Sequence, residues 1–220
     1  MIKNNLKKLI ITSVVILLPI IAGLILWNKL PDSIPIHWSF AGEADNYAGK
    51  GFVVFAIPLL MLLCHIVCIV ATALDPKNKN QSKKPMDLIM WSMPAVSLLL
   101  AFVVYAQALG YSARVESIAF VFVGVLIIVI GNYLPKCKQN YTLGIKVVWA
   151  LENEENWNAT HRFGGRLWMV GGVLLIVCAF LPMPWNAIIF VPLLLVMTIA
   201  PMVYSYVYYK NHTSDGKEEK

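Results

Sequence analysis

The sequence predicts an all-α integral membrane protein: six transmembrane helices, both termini cytoplasmic, and an amphipathic inner-surface helix between spans four and five. Three observations predict it. Of the 220 residues, 59% are hydrophobic and 14% charged, with a mean hydropathy of +0.68, whereas soluble domains are about a quarter charged. Apolar runs of about 20 residues recur, each long enough at ~1.5 Å per residue to cross a ~30 Å hydrocarbon core. Lysine and arginine are spread unevenly between alternate connectors, which orients the chain.

The first span is read at 9–27, after a basic start of Lys3, Lys7 and Lys8. A secretory signal has a similar start, but this apolar stretch exceeds the ~7–15 residues of a signal and lacks a small-x-small cleavage site, so it reads as a retained helix. The outer loop that follows carries Pro31 and Pro35, which favour extended or turning backbone over helix. In it Pro35, His37, Trp38, Gly42, Glu43 and Asp45 form a candidate outward recognition surface. His37, Glu43 and Asp45 could meet a cation or a peptide, yet one histidine and two carboxylates match no tight metal-ligand spacing. Otherwise Trp38 and Tyr47 are interface anchors and the acids are solvated.

Span two is read at 52–74 and span three at 88–109. The lysine-rich connector between them, with Pro76 and Pro85, reads as a solvated inner loop. Cys64 and Cys68 flank His65, but without a further ligand pair they read as small apolar packing residues. No cysteine lies in an outer loop, so no structural disulfide is expected. His65 is the one intramembrane group that titrates near neutral pH. Prolines 19, 58, 94, 192 and 201 fall mid-span and tend to kink their helices.

Spans four, five and six are read at 115–134, 167–181 and 188–208, with Trp168 and Trp185 as interface anchors around the short fifth span. Between spans four and five runs a polar segment, 135–166, of roughly 30 residues, longer than an unstructured connector should be. Asn153 can cap a helix whose first turn holds Glu154 and Glu155, the right sign for a helix N-terminus. Trp157, His161 and Gly164 fall on one face at helical spacing, and Gly164-Gly165 ends or bends the helix. This is the expected inner-surface helix, with Trp149 and Trp157 at headgroup level and Arg162 and Arg166 near lipid phosphates.

With the N-terminus inside, every lysine and arginine except Lys29, Lys50 and Arg114 is cytoplasmic; the inner set includes Lys77, Lys79, Lys83, Lys84, Lys210, Lys217 and Lys220. The net charge of +6 is then an inner-face bias beside anionic lipid and calls for no direct nucleic-acid partner. Nothing in the sequence calls for a cofactor. There is no His-Glu-x-x-His motif, no Gly-x-Ser-x-Gly elbow and no pair of intramembrane aspartates, so no catalytic residue and no resident metal are expected. A small transporter or permease subunit using the kinked helices and His65 is the alternative.

Asn132, Asn140, Gly144-Ile145-Lys146, Trp149, Trp157 and Thr160-His161-Arg162 with Gly164 resemble the signature of the SdpI-type immunity family. The outer Leu30-Pro31…Ile34-Pro35-Ile36-His37-Trp38…Gly42…Asp45 resembles its companion N-terminal domain. The resemblance covers nearly the whole chain and divides it into an N-terminal membrane domain at 1–110 and an SdpI-like domain at 111–220. It implies a non-enzymatic, multi-pass protein of the bacterial cell membrane. It also implies protection from a secreted peptide toxin met by the outer loop, and sequestration of a winged-helix transcriptional repressor by the cytoplasmic segment. The family's Gly-Ile-Arg-Thr-Pro-Trp turn is Gly144-Ile145-Lys146-Val147-Val148-Trp149 here. Lysine keeps the charge without the planar bidentate fork, and the missing proline frees the backbone.

Overall fold

A computed structural model describes residues 2–39, 42–77, 83–111, 114–182 and 184–214. Lys79, Lys217 and Lys220 of the expected inner set lie outside the described residues. The chain is mostly helical. Among the described residues, five helices are long and apolar enough to cross a membrane: α1 (Ile2–Ile25), α2 (Ile57–Leu74, prolonged at its start by a π-helical turn, Phe52–Ala56), α3 (Lys83–Ala108), α4 (Val115–Tyr133) and α7 (Trp185–Ser214). Between α4 and α7 stand a short α5 (Val148–Glu152) and a continuous 25-residue α6 (Glu154–Cys178).

One local expectation changes. The outer loop is an antiparallel hairpin, β1 (Ser33–Trp38) against β2 (Ala44–Gly49), so the fold is mostly helical rather than all-α. Proline geometry is the reason: Pro35 holds extended backbone, and Ile34 turns inward, fully buried. Pro58 follows the π-helical turn within one continuous helical stretch, where its missing N–H leaves a preceding carbonyl without a donor.

The chain forms two compact units: Met1–Ala73 with Met86–Glu116, and Leu74–Pro85 with Ser117–Lys220. In the first, Leu30 and Ile34 pack on Val53, Val54, Val104 and Tyr105, which seats the hairpin on the helix ends. One face of α1 meets a polar partner on successive turns. Lys8 pairs with Asp87, Thr12 with His65 Nε2 (3.0 Å), the Ile16 carbonyl with Ser97 Oγ (3.0 Å) and the Pro19 carbonyl with Tyr105 Oη (3.0 Å).

In the second unit α6 is central. Gly164-Gly165, expected to end or bend the helix, lies inside it, and Gly171-Gly172 repeats the pair seven residues on. A Cβ on Gly165 would meet the Gly131 carbonyl at 2.6 Å, and one on Gly172 the Gly124 carbonyl at 2.6 Å. The other member of each pair faces α7, Gly164 at Pro201 and Gly171 at Met197. Absent side chains thus let α6 approach α4 at backbone distance and make room for the Met197 side chain of α7, a packing common between apolar helices.

Candidate functional site

In the first unit the candidate residues lie on the hairpin. Strand pairing runs from Ser33 opposite Gly49 to Trp38 opposite Ala44, with irregularities on both sides of His37. These bulges bring His37 Nδ1 to 2.5 Å from Asp45 Oδ1 in an exposed hydrogen bond. At the tip, Ser39 N–H donates to the Glu43 carbonyl and Gly42 N–H to the Ser39 carbonyl, both at 2.9 Å. Gly42 has φ +81°, and its open side faces the Glu116 carboxylate. Pro35 and Trp38 are half-buried, Trp38 against the apolar cluster below, while Glu43 and Tyr47 are exposed. The hairpin base is closed by Lys50, whose Nζ lies 2.8 Å from Asp32 and over the Trp27 ring. That hydrogen-bonded ammonium holds the Asp32 carboxyl below its usual range. Among the described residues, no three His, Cys, Asp or Glu side chains gather as metal ligands.

In the second unit the candidate residues form a bonded core. Asn153 caps α6 as its sequence position suggests, accepting Asn156 N–H at 2.8 Å. One turn on, Trp157 is fully buried within the protein. Its indole N–H donates to the Cys137 carbonyl at 2.8 Å, and its ring stacks on His161 at 4.0 Å between centroids. The indole thereby satisfies a loop carbonyl that would otherwise be buried without a donor.

His161 is the splint of this arrangement. Nδ1–H donates to the Trp157 carbonyl at 2.8 Å, which leaves Nε2 as an acceptor for the Ile145 backbone N–H at 3.0 Å. Burial pushes its pKa down to about 4, against the opposing pull of the Trp157 carbonyl, so the ring is neutral at physiological pH. Gly144 precedes the bond with φ +100°, and any Cβ there would overlap the imidazole.

Asn140 builds the turn before it. Its Oδ1 accepts Thr142 and Leu143 N–H, and its Nδ2 donates to the Lys138 and Leu143 carbonyls. The turn is gripped from outside by Asp75, whose Oδ2 accepts Tyr141 N–H at 2.8 Å and Thr142 Oγ–H at 2.9 Å. Lys77 adds a bond to Gln139 at 3.0 Å and lies over the Tyr141 ring. Neither Asp75 nor Lys77 stood out in the sequence: their connector had read as solvated loop, and contacts to residues more than sixty positions away leave no local pattern.

Behind α6, Asn156 bonds Ser205 through both ends of its amide and accepts from Thr160. Trp149 packs on Tyr206, with ring centroids 5.0 Å apart. Lys146 and Arg162 are exposed, and Asn132 lies exposed in the last turn of α4. Burial pushes the Cys137 thiol up to about 11, so it is no thiolate nucleophile at neutral pH. Chemically, the connector is a rigid scaffold that presents lysine, arginine and asparagine.

Comparison with known proteins follows this division. Residues 136–205 match the family described as the SdpI/YfhL protein family, and residues 14–62 match a domain of unknown function (DUF1648). The first match holds every candidate of the second unit except Asn132; the second holds the hairpin. Over 204 residues the chain is 28% identical to the immunity protein SdpI of Bacillus subtilis (strain 168), covering 93% of this chain and 97% of that one. No solved structure matches.

Proposed function

This chain carries an SdpI/YfhL-family region, and from that premise we propose that it is a multi-pass membrane protein giving a bacterial cell immunity to a secreted antimicrobial peptide. The observation that carries the reading is similarity to an immunity protein along nearly the full length of both chains. The hairpin, through Pro35, His37, Trp38, Gly42, Glu43 and Asp45, meets the toxin outside. The domain at 1–110 thus serves recognition and the domain at 111–220 the inner readout.

Topology belongs to the same proposal: six crossings, with both termini and the 137–152 connector in the cytoplasm. The glycine register supports α6 as the added crossing. With Gly131 beside Gly165 and Gly124 beside Gly172, α6 runs antiparallel to α4. Extending that register sets roughly residues 163–181 alongside the whole of α4, about 27 Å at ~1.5 Å per residue. Trp157 and His161 then lie in the inner interfacial layer, and Arg162 and Arg166 reach lipid phosphate.

The reading extends to signalling. Exposed Lys146 on the splinted connector and exposed Arg162 on α6 offer a winged-helix repressor a basic surface, with half-buried Trp149 on the connector as its aromatic part. Expression of the chain in a toxin-sensitive host, followed by survival counts under the peptide, tests the immunity reading. Killing that is unchanged at confirmed membrane expression contradicts it.

A further inference from the structure

The first unit contains a polar feature that immunity does not use. Behind the hairpin, α1, the π-helical turn with α2, and α3 border a partly open cavity of about 20 Å³, lined in part by Pro19, Val53, Pro58, Ser97, Ala101 and Tyr105. Two hydroxyls stand on its wall. Ser97 donates to the Ile16 carbonyl and Tyr105 to the Pro19 carbonyl, which leaves lone pairs on both oxygens free to accept.

The opposite wall supplies a carbonyl without a helical donor. In the π-helical turn, Ile57 N–H bonds to the Phe52 carbonyl rather than to that of Val53. The next residue is Pro58, which has no proton to give. Val53 is buried, and a buried carbonyl is ordinarily paired with protein or ordered water. The cavity has the size of one water, which needs about 10–15 Å³ and two to four polar partners. It is too small for a lipid chain and carries no charged ligand for a metal.

We propose that this cavity is a binding site for a single structural water. The water donates one proton to the Val53 carbonyl and the other to the hydroxyl oxygen of Ser97 or Tyr105. Val53 and Tyr105 also belong to the cluster under Leu30 and Ile34, so the water joins the start of α2 to α3, and through the α3 hydroxyl to α1, directly beneath the seat of the hairpin. Ordered water is one of the ways apolar helices satisfy groups released by proline.

Water-edited solid-state NMR of the full chain in bilayers reads this directly. Magnetisation should pass from water to Val53 and Tyr105, while Ile69, equally buried in the same unit, stays dark. Absence of transfer to Val53 overturns the proposal. Ala101→Leu, which fills the cavity with methyl groups, should abolish the transfer; transfer that survives places the water elsewhere and also overturns it. If that variant fails to fold, the wild-type signal still decides.

Discussion

His161 holds Ile145 in place: the imidazole accepts the Ile145 backbone N–H at 3.0 Å through a nitrogen that must stay unprotonated to do so. Protonation would turn that acceptor into a donor facing a donor. Here the sign of a pH effect follows from geometry. The folded pKa is about 4, and an opened connector would return His161 to ~6.5. Between these values the open state binds more protons, so closure is complete above pH ~6.5 and is lost as pH falls toward 4. The gap corresponds to something on the order of 3 kcal/mol. Melting in detergent at pH 7 and pH 5 should show lower stability at pH 5, and His161→Gln, which keeps an acceptor that does not titrate, should flatten the difference.

Gly144→Ala attacks the same bond from the loop side. The left-handed backbone at φ +100° costs a Cβ-bearing residue about 1–2 kcal/mol, and the methyl also displaces the imidazole. Thermal melts should fall clearly below those of Gly110→Ala, where φ is similar but the space is open.

Trp157→Ala removes a fully buried indole and leaves the Cys137 carbonyl without its donor. A loss of about 3–5 kcal/mol is expected. Recruitment of an inner partner should weaken while α4 and α7 still insert. Loss of insertion would show that the residue serves the membrane helices instead of the connector.

Asp75→Ala leaves the Tyr141 N–H and the Thr142 hydroxyl without their acceptor, worth about 1–3 kcal/mol. Asp75→Asn keeps one acceptor oxygen and should recover part of this. Protease cleavage within 138–146 ranks the three proteins, and equal cleavage would contradict the clamp.

His37→Ala separates recognition from folding. The His37–Asp45 pair is exposed, so its loss costs at most ~1 kcal/mol. Membrane levels should stay unchanged while survival under the toxin falls. Unchanged survival would reduce the hairpin to a spacer.

The long apolar helices were legible because length and hydropathy alone decide whether a segment can cross a bilayer. The cap at Asn153 was legible because capping is local. The hairpin was half visible: Pro31 and Pro35 excluded helix, but its pairing across bulges leaves no short-range mark. Trp157 was ambiguous, since one helical tryptophan fits a lipid interface and a protein core equally well until its neighbours are known. The glycines carried a readable signal that went unread, the seven-residue spacing of 124 with 131 and of 165 with 172. Asp75 could not have been found, because its grip on Tyr141 is entirely tertiary.

The proposed immunity function requires the hairpin and the connector to lie on opposite faces of the membrane. In a background with Cys64, Cys68, Cys137 and Cys178 replaced, Tyr47→Cys and Lys146→Cys place single thiols at exposed positions in the two regions. A membrane-impermeant maleimide should label Tyr47→Cys in intact cells and Lys146→Cys only after permeabilisation. Labelling of both in intact cells, or of neither until permeabilisation, would contradict it.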